Sequence, residues 1–171
     1  MSRELEDRIA RLEKRIEELE DERAIRELLA RYGFNADCCR DDEYVALYTE
    51  DGVLSLRGGP DKAREEIRNH EGTEQLAAFI GDTQGHQRPD LYGKSMHMQG
   101  NNVVTHIDGA DAVVNSYSVV LYGRDNGVIL GTAGNNQWQL EKRDGAWRIR
   151  ERRRCMLGSH PYVSNLDATP S

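Results

Sequence analysis

Histidine is the side chain best suited to move a proton near neutral pH, because its unperturbed pKa is about 6.5. His97 lies in KSMHMQGNNVV, residues 94–104, where the chain enters an apolar-rich run. Upstream, RYGFNADCCRDDEY carries Asp37, 60 residues before His97. A carboxylate on one imidazole nitrogen fixes the tautomer and stabilises the imidazolium that forms when the other nitrogen takes a proton. Asp37 and His97 are therefore candidates for a base and its orienting group, provided that the fold brings them together. If they do not meet, His97 reads as a residue bonding a backbone group at a strand start. Asp37 then reads as a loop residue or a helix cap, a task for which Asp41 and Asp42 are better placed. Cys38 and Cys39 adjoin Asp37, but no basic partner stands nearby to activate a thiol. His70, His86, His106 and His160 fall in or near expected loops and carry no pattern.

The first half of the chain supplies helices. Residues 3–33 read as one long helix, uninterrupted by Pro or Gly until Gly33. Leu5, Ile9, Leu12, Ile16 and Leu19 form a short heptad stripe, expected to dock on a partner subunit. A solvated amphipathic extension is the alternative. Ile25, Leu28, Leu29 and Tyr32 form a second stripe in a new phase, expected to pack on the domain's own sheet. Asp41 or Asp42 is expected to cap a short helix carrying Tyr44, Val45, Leu47 and Tyr48. DGVLSL reads as a turn and a short strand. GGPDKAREEIRNHE, residues 58–71, reads as a polar loop with one helical turn. GTEQLAAFIGD reads as a helix capped by Thr73, and residues 82–93 as a loop.

The second half supplies a sheet. HIDGADA, RDNGV and KRDGAW place Asp-Gly or Asn-Gly between four apolar-rich runs, and these dipeptides favour hairpin turns. The runs, near 95–107, 112–124, 128–142 and 146–156, predict a four-stranded antiparallel meander. Strands this long must twist and curl, leaving a concave face for the helices to cover. The expected fold class is α+β: an open cone, a curved antiparallel sheet wrapped around about three helices, with an extended N-terminal helix. The domain is expected over residues 22–157, after a helical extension at 1–21 and before a tail at 158–171. In AWRIRERRRC, strict alternation puts Trp147, Ile149, Glu151, Arg153 and Cys155 on one face. Arg148, Arg150, Arg152 and Arg154 then share the other, expected to be a solvated outer face.

Composition narrows the partners. With 171 residues, 31% of them charged, the chain suits one soluble domain. A net charge of −7 argues against a nucleic-acid or anionic-membrane surface. No apolar run approaches the roughly 20 residues that cross a bilayer, and the N-terminus lacks an apolar signal core. A cytoplasmic location is expected. Three cysteines do not suggest a disulfide framework, and no metal-ligand spacing is present. No metal and no cofactor are expected.

Three segments carry a family resemblance. EDERAIRELLARYGFNADCCRDDEYVALYTEDGVL resembles the opening helices of the NTF2-like superfamily, in its SnoaL-like branch. MHMQGNNVVTHIDGADAVVNSY resembles its central hairpin, and GNNQWQLEKRDGAWRIRERR its closing one. The match runs in consistent order over roughly residues 22–156. It implies the cone fold independently of the turn pattern. Asp37 and His97 occupy positions resembling the Asp–His pair of scytalone dehydratase, hexachlorocyclohexane dehydrochlorinase and bile-acid 7α-dehydratase. Those enzymes remove a proton and a leaving group from adjacent carbons.

The resemblance implies a cofactor-independent lyase, most simply a dehydratase, acting on a hydrophobic cyclic small molecule. Asp37, His97 and Tyr32 would be catalytic, with Tyr32 polarising a carbonyl or assisting the leaving group. Asn136 and Tyr122 would bind substrate, Asn136 by bonding a developing enolate oxygen. Two departures imply a substrate unlike those of the named enzymes. Leu56 stands where two of them have a pocket tyrosine, and a late-strand arginine of the bile-acid enzyme aligns nearest Met156, with Arg154 two positions away. The superfamily also contains isomerases, cyclases and non-catalytic binding or assembly modules, including a dioxygenase small subunit, and fold alone does not choose among them. A homo-oligomer is implied, a trimer before a dimer.

Overall fold

The computed structural model describes residues 3–58 and 67–159. Helix α1 runs Arg3–Asp37, α2 Asp41–Val45 and α3 Gly72–Ile80. Six strands follow the order β1 (Tyr48–Arg57), β2 (Ile67–Glu71), β3 (Ser95–Asp108), β4 (Asp111–Arg124), β5 (Gly127–Arg143) and β6 (Ala146–Met156). They form one sheet in the spatial order β2-β1-β6-β5-β4-β3. Every neighbouring pair is antiparallel except β1 and β6, which are parallel. The chain is thus an α+β cone, with the four long strands where the Asp-Gly and Asn-Gly breaks predict them.

Register shifts interrupt the β1–β6, β3–β4, β4–β5 and β5–β6 ladders. Each bulge adds local bend and twist, so the sheet curls around the helices. Ile25, Leu28, Leu29, Tyr32 and Ala36 repeat at helical spacing and form the buried stripe of α1. They pack against Leu54, Val114, Trp138, Leu140, Trp147 and Ile149 on the concave face. Asp21 opens this packed half: its Oδ1 accepts from Lys142 Nζ at 2.7 Å and Trp147 Nε1 at 2.9 Å. Residues 3–20 are all exposed. The heptad stripe there, from Leu5 to Leu19, lies 37–55% exposed.

Several local expectations need correction. Helix α1 does not stop at Gly33 but continues to Asp37. A glycine costs a helix about 1 kcal/mol relative to Ala, and here it permits a close approach: a Cβ on Gly33 would lie 2.6 Å from the His97 carbonyl oxygen. Helix α2 ends at Val45, so Leu47 falls between elements and Tyr48 begins β1. Its N-cap is Arg40, without a side-chain bond; the Asp41 carboxylate instead receives Gln87 Nε2 at 2.7 Å. Thr73 does not cap α3, whose N-cap is Glu71. The Glu71 backbone N–H donates to Gln75 Oε1 at 3.2 Å, so a side chain from the first turn satisfies the N-cap's own donor. Residues 67–71 are an edge strand, not loop, a polar strand of the sort that tolerates solvent at a sheet margin. The helical turn expected earlier in that stretch lies outside the described residues.

The largest correction concerns β6. Gln139 pairs with Glu151, but Leu140 pairs with Ile149, so Arg150 is an extra residue in the ladder. The bulge reverses the alternation. Trp147 and Ile149 face inward before it, and Arg152 and Arg154 face inward after it, while Glu151, Arg153 and Cys155 move to the other face. The expected solvated row of four arginines is therefore split. Arg152 is only 4% exposed.

Candidate active site

The close approach at Gly33 brings the last turn of α1 against the start of β3. Asp37 ends that turn, and β3 is a sheet edge, so its outward N–H groups need partners. The Asp37 carboxylate receives the His97 backbone N–H at 2.8 Å (Oδ2) and 3.1 Å (Oδ1), and Ser95 Oγ at 3.2 Å. It also lies 2.6 Å from His97 Nδ1. An ionised carboxylate only accepts, so Nδ1 carries the proton, and a neutral His97 has its lone pair on Nε2. Three backbone and side-chain bonds beyond the imidazole contact fix the carboxylate, and through it the ring.

His97 lines a cavity of about 240 Å³ inside the cone. Tyr32 and Tyr122 line it too, together with Ala36, Tyr44, Leu56, Phe79, Ile80, Val120, Thr132, Arg68, Arg152 and Arg154. The Tyr32 hydroxyl lies 2.6 Å from that of Tyr44 and receives a hydrogen bond from Arg152 Nη1. Burial pushes the Tyr44 and Tyr48 hydroxyls well above the ordinary tyrosine range, so both stay protonated. The Tyr48 hydroxyl is buried with no hydrogen-bond partner among the described residues. Asn136 stands one layer back from the lining. Its Oδ1 accepts from Arg152 Nε at 3.0 Å and Nη2 at 2.8 Å, and its Nδ2 donates to Gln99 and Ser116. It touches the cavity through Arg152. Tyr122 owes its position to Gly131, where a Cβ would lie 2.2 Å from the ring.

Two groups escape a reading of the sequence. One is the inward pair Arg152 and Arg154, hidden by the β6 bulge. The other is His86, in the loop after α3. Its ring stacks on His97 with centroids 5.3 Å apart and planes 25° from parallel. Neither His86 nitrogen has a hydrogen-bond partner among the described residues. Nothing in HQRPDLYG marks this histidine as inserted, because the insertion depends on where the loop closes in space.

Burial, and then the neighbouring His97, push the His86 pKa down to about 4, against smaller opposing contributions from Asp37 and Asp41. Above pH 6.5 the residue is neutral whether the chain is folded or unfolded. Between 6.5 and about 4 the unfolded chain takes up a proton that the folded site refuses, so stability falls as pH falls. The full penalty is on the order of 3 kcal/mol. His86→Gln is expected to flatten this part of the stability profile. Urea unfolding at pH values across the window checks it; parallel profiles for the two proteins would show that His86 is not the titrating group.

Residues 17–153 match the family model of the SnoaL-like domain. The chain belongs to the SnoaL-like domain family, within the NTF2-like, cystatin-like fold. An NTF2-like protein with a cystatin-like fold from Novosphingobium aromaticivorans is 28% identical, with a TM-score of 0.78, over 91% of this chain and 94% of that one. A candidate scytalone dehydratase from the same organism shares 19% identity and a TM-score of 0.64, over 81% and 85% of the two chains. The β subunit of a candidate aromatic-ring-hydroxylating dioxygenase, also from that organism, shares 19% identity and a TM-score of 0.64, over 78% and 86%. The last two likenesses establish fold alone. Among curated proteins no relative matches. No helix among the described residues is long and apolar enough to cross a membrane.

Proposed function

We propose that this protein is a cofactor-independent lyase, a dehydratase, acting on a small cyclic molecule in the cavity beside His97. The observation that carries this reading is the 2.6 Å contact between Asp37 and His97 Nδ1 on the wall of that cavity. A module built only for assembly has no need of an oriented imidazole there. His97 Nε2 takes a proton from a carbon next to a carbonyl, and the C–H electron pair forms the enolate. The enolate then expels hydroxide from the adjacent carbon, which accepts the imidazolium proton and departs as water. Atoms balance without a cofactor: one hydroxy-carbonyl gives one unsaturated carbonyl and one water. Tyr32 serves as hydrogen-bond donor to the carbonyl or leaving oxygen, Tyr122 shapes the ring site, and Asn136 acts by holding Arg152.

A panel of cyclic β-hydroxy-carbonyl compounds incubated with the protein in D₂O, followed by mass spectrometry, tests this reading. Loss of water is expected. Deuterium entering carbon without loss of water would instead make the site an isomerase. Neither change in any compound would overturn proton abstraction by His97.

The exposed heptad stripe supports a homo-oligomer, for which we propose a trimer. Removing residues 1–20 is expected to lower the assembly mass measured by light scattering. An unchanged mass would leave the stripe a solvated arm.

A further inference from the structure

The wall that faces the substrate carries more positive charge than the dyad needs. Arg152 is buried between the rings of Tyr32 and Trp138, its guanidinium carbon 4.5 and 4.7 Å from their centroids. Its hydrogen bonds go to the Asn136 amide oxygen and the Tyr32 hydroxyl, both neutral. Arg154 donates to Ser118 Oγ at 3.2 Å, Thr132 Oγ1 at 2.7 Å and Met156 Sδ at 3.2 Å, all neutral as well. Among the described residues neither arginine has an ion pair, and Arg68 adds a third guanidinium to the lining. Among the described residues no Asp or Glu lines the cavity, and the Asp37 carboxylate is already committed to His97 and Ser95. Buried charges are normally paired, because desolvation otherwise costs several kcal/mol per ion.

We propose that the substrate itself supplies the counter-charge, as a carboxylate bound by Arg152 and Arg154. A guanidinium has five N–H donors in a planar fork that suits a carboxylate. Three on each arginine are engaged by protein, which leaves two on each. The two residues are i and i+2 on one face of β6, roughly 7 Å apart along the strand, close enough to share one anion. Burial, and then the adjacent Arg152, hold the Arg154 pKa down to about 10. Arg154 is still cationic at neutral pH, and an anion between the two charges relieves their repulsion.

The dyad rises from β3 and the arginines from β6, three strand spacings away, or roughly 14 Å between backbones. A ring anchored at one end by its carboxylate reaches back toward His97. The cavity, about 240 Å³, has room for such a ring: an apolar cavity of about 150 Å³ takes benzene, so one ring and a carboxylate fit within it. Leu56, Phe79, Ile80 and Val120 supply the apolar walls. The implied substrate is a monocyclic acid. This inference rests on reading the cavity as the substrate site.

Titration calorimetry with benzoate, and with benzamide as its neutral counterpart, tests it by binding alone. Benzoate is expected to bind about tenfold or more tightly than benzamide, equivalent to about 1.4 kcal/mol. Arg154→Met and Arg152→Met, each confirmed folded by circular dichroism, are expected to abolish that preference. Arg154→Lys, which keeps the charge and the stem, is expected to retain part of it. Equal affinities for the two probes, no saturable benzoate binding, or a preference that survives both Met variants would overturn the inference. A benzoate preference without any dehydration in the panel would sink the lyase reading and leave this one standing. Dehydration of neutral substrates with no benzoate preference would do the reverse.

Discussion

Asp37→Asn and His97→Ala are each expected to lower turnover by about a hundred- to ten-thousand-fold, and the double variant to be little worse than the poorer single one. The reason is the geometry of one oxygen. Asp37 Oδ1 meets His97 Nδ1 at 2.6 Å while the same carboxylate holds the His97 backbone N–H. An amide in its place can present an N–H to Nδ1, which moves the proton to Nε2 and removes the base. Removing the imidazole removes the base directly. Groups that act as one unit do not lose their effects additively, so the double variant separates a dyad from two independent contributions. The kcat/KM values of wild type, both singles and the double, on a substrate from the dehydration panel, decide it. Unchanged turnover in either single variant, or a double loss equal to the product of the singles, would contradict the paired role. Folding is expected to survive, since Asn still accepts the His97 backbone N–H.

Gly33→Ala is expected to destabilise the protein by about 1–3 kcal/mol and to cost turnover beyond what that loss explains. Intrinsic propensity points the other way, because Ala favours a helix over Gly by about 1 kcal/mol. The contact decides. The new Cβ would sit 2.6 Å from the His97 carbonyl oxygen; the Cβ is fixed by the helix backbone and the oxygen belongs to the strand backbone, so neither can rotate aside. Relief requires α1 and β3 to move apart, one helical turn before Asp37. The Asp37–His97 contact is what that separation lengthens. Urea midpoints and turnover on the same preparations check both halves. A Gly33→Ala protein that is more stable and fully active would show that helix and strand have room to spare.

The sequence disclosed this architecture unevenly, for physical reasons. Asp-Gly and Asn-Gly turns are local signals, and they mark three hairpins and four strands to within a few residues. The buried stripe of α1 is also local, since Ile25, Leu28, Leu29 and Tyr32 recur at helical spacing. The edge strand at Ile67–Glu71 gives little sequence signal, because an edge needs little apolar content and IRNHE offers little. The end of α1 is not legible in the sequence, because Gly33 serves a contact with a residue 64 positions later (97 − 33). The inward facing of Arg152 and Arg154 is not legible in RIRERRRC, because period-two alternation holds only until a bulge and the bulge at Arg150 leaves no mark there. His86 carried no signal, as its insertion beside His97 depends on loop closure in three dimensions. The Asp37–His97 pair itself came from the family resemblance and the chemistry of its two residue types, since spacing alone cannot place residues 60 positions apart in contact.

Catalysis by His97 requires that Asp37 hold it with its proton on Nδ1 and its lone pair on Nε2. Selective ¹⁵N labelling of histidine, with the two ring nitrogens of His97 read by NMR at neutral pH, measures this directly. His97→Gln would assign the signals, and Asp37→Asn would show what the carboxylate contributes. A pyrrole-type Nδ1 and a pyridine-type Nε2 are expected in the wild-type protein, with that preference lost in Asp37→Asn. A wild-type His97 protonated on Nε2 alone, or one whose tautomer ignores Asp37→Asn, would contradict the paired role.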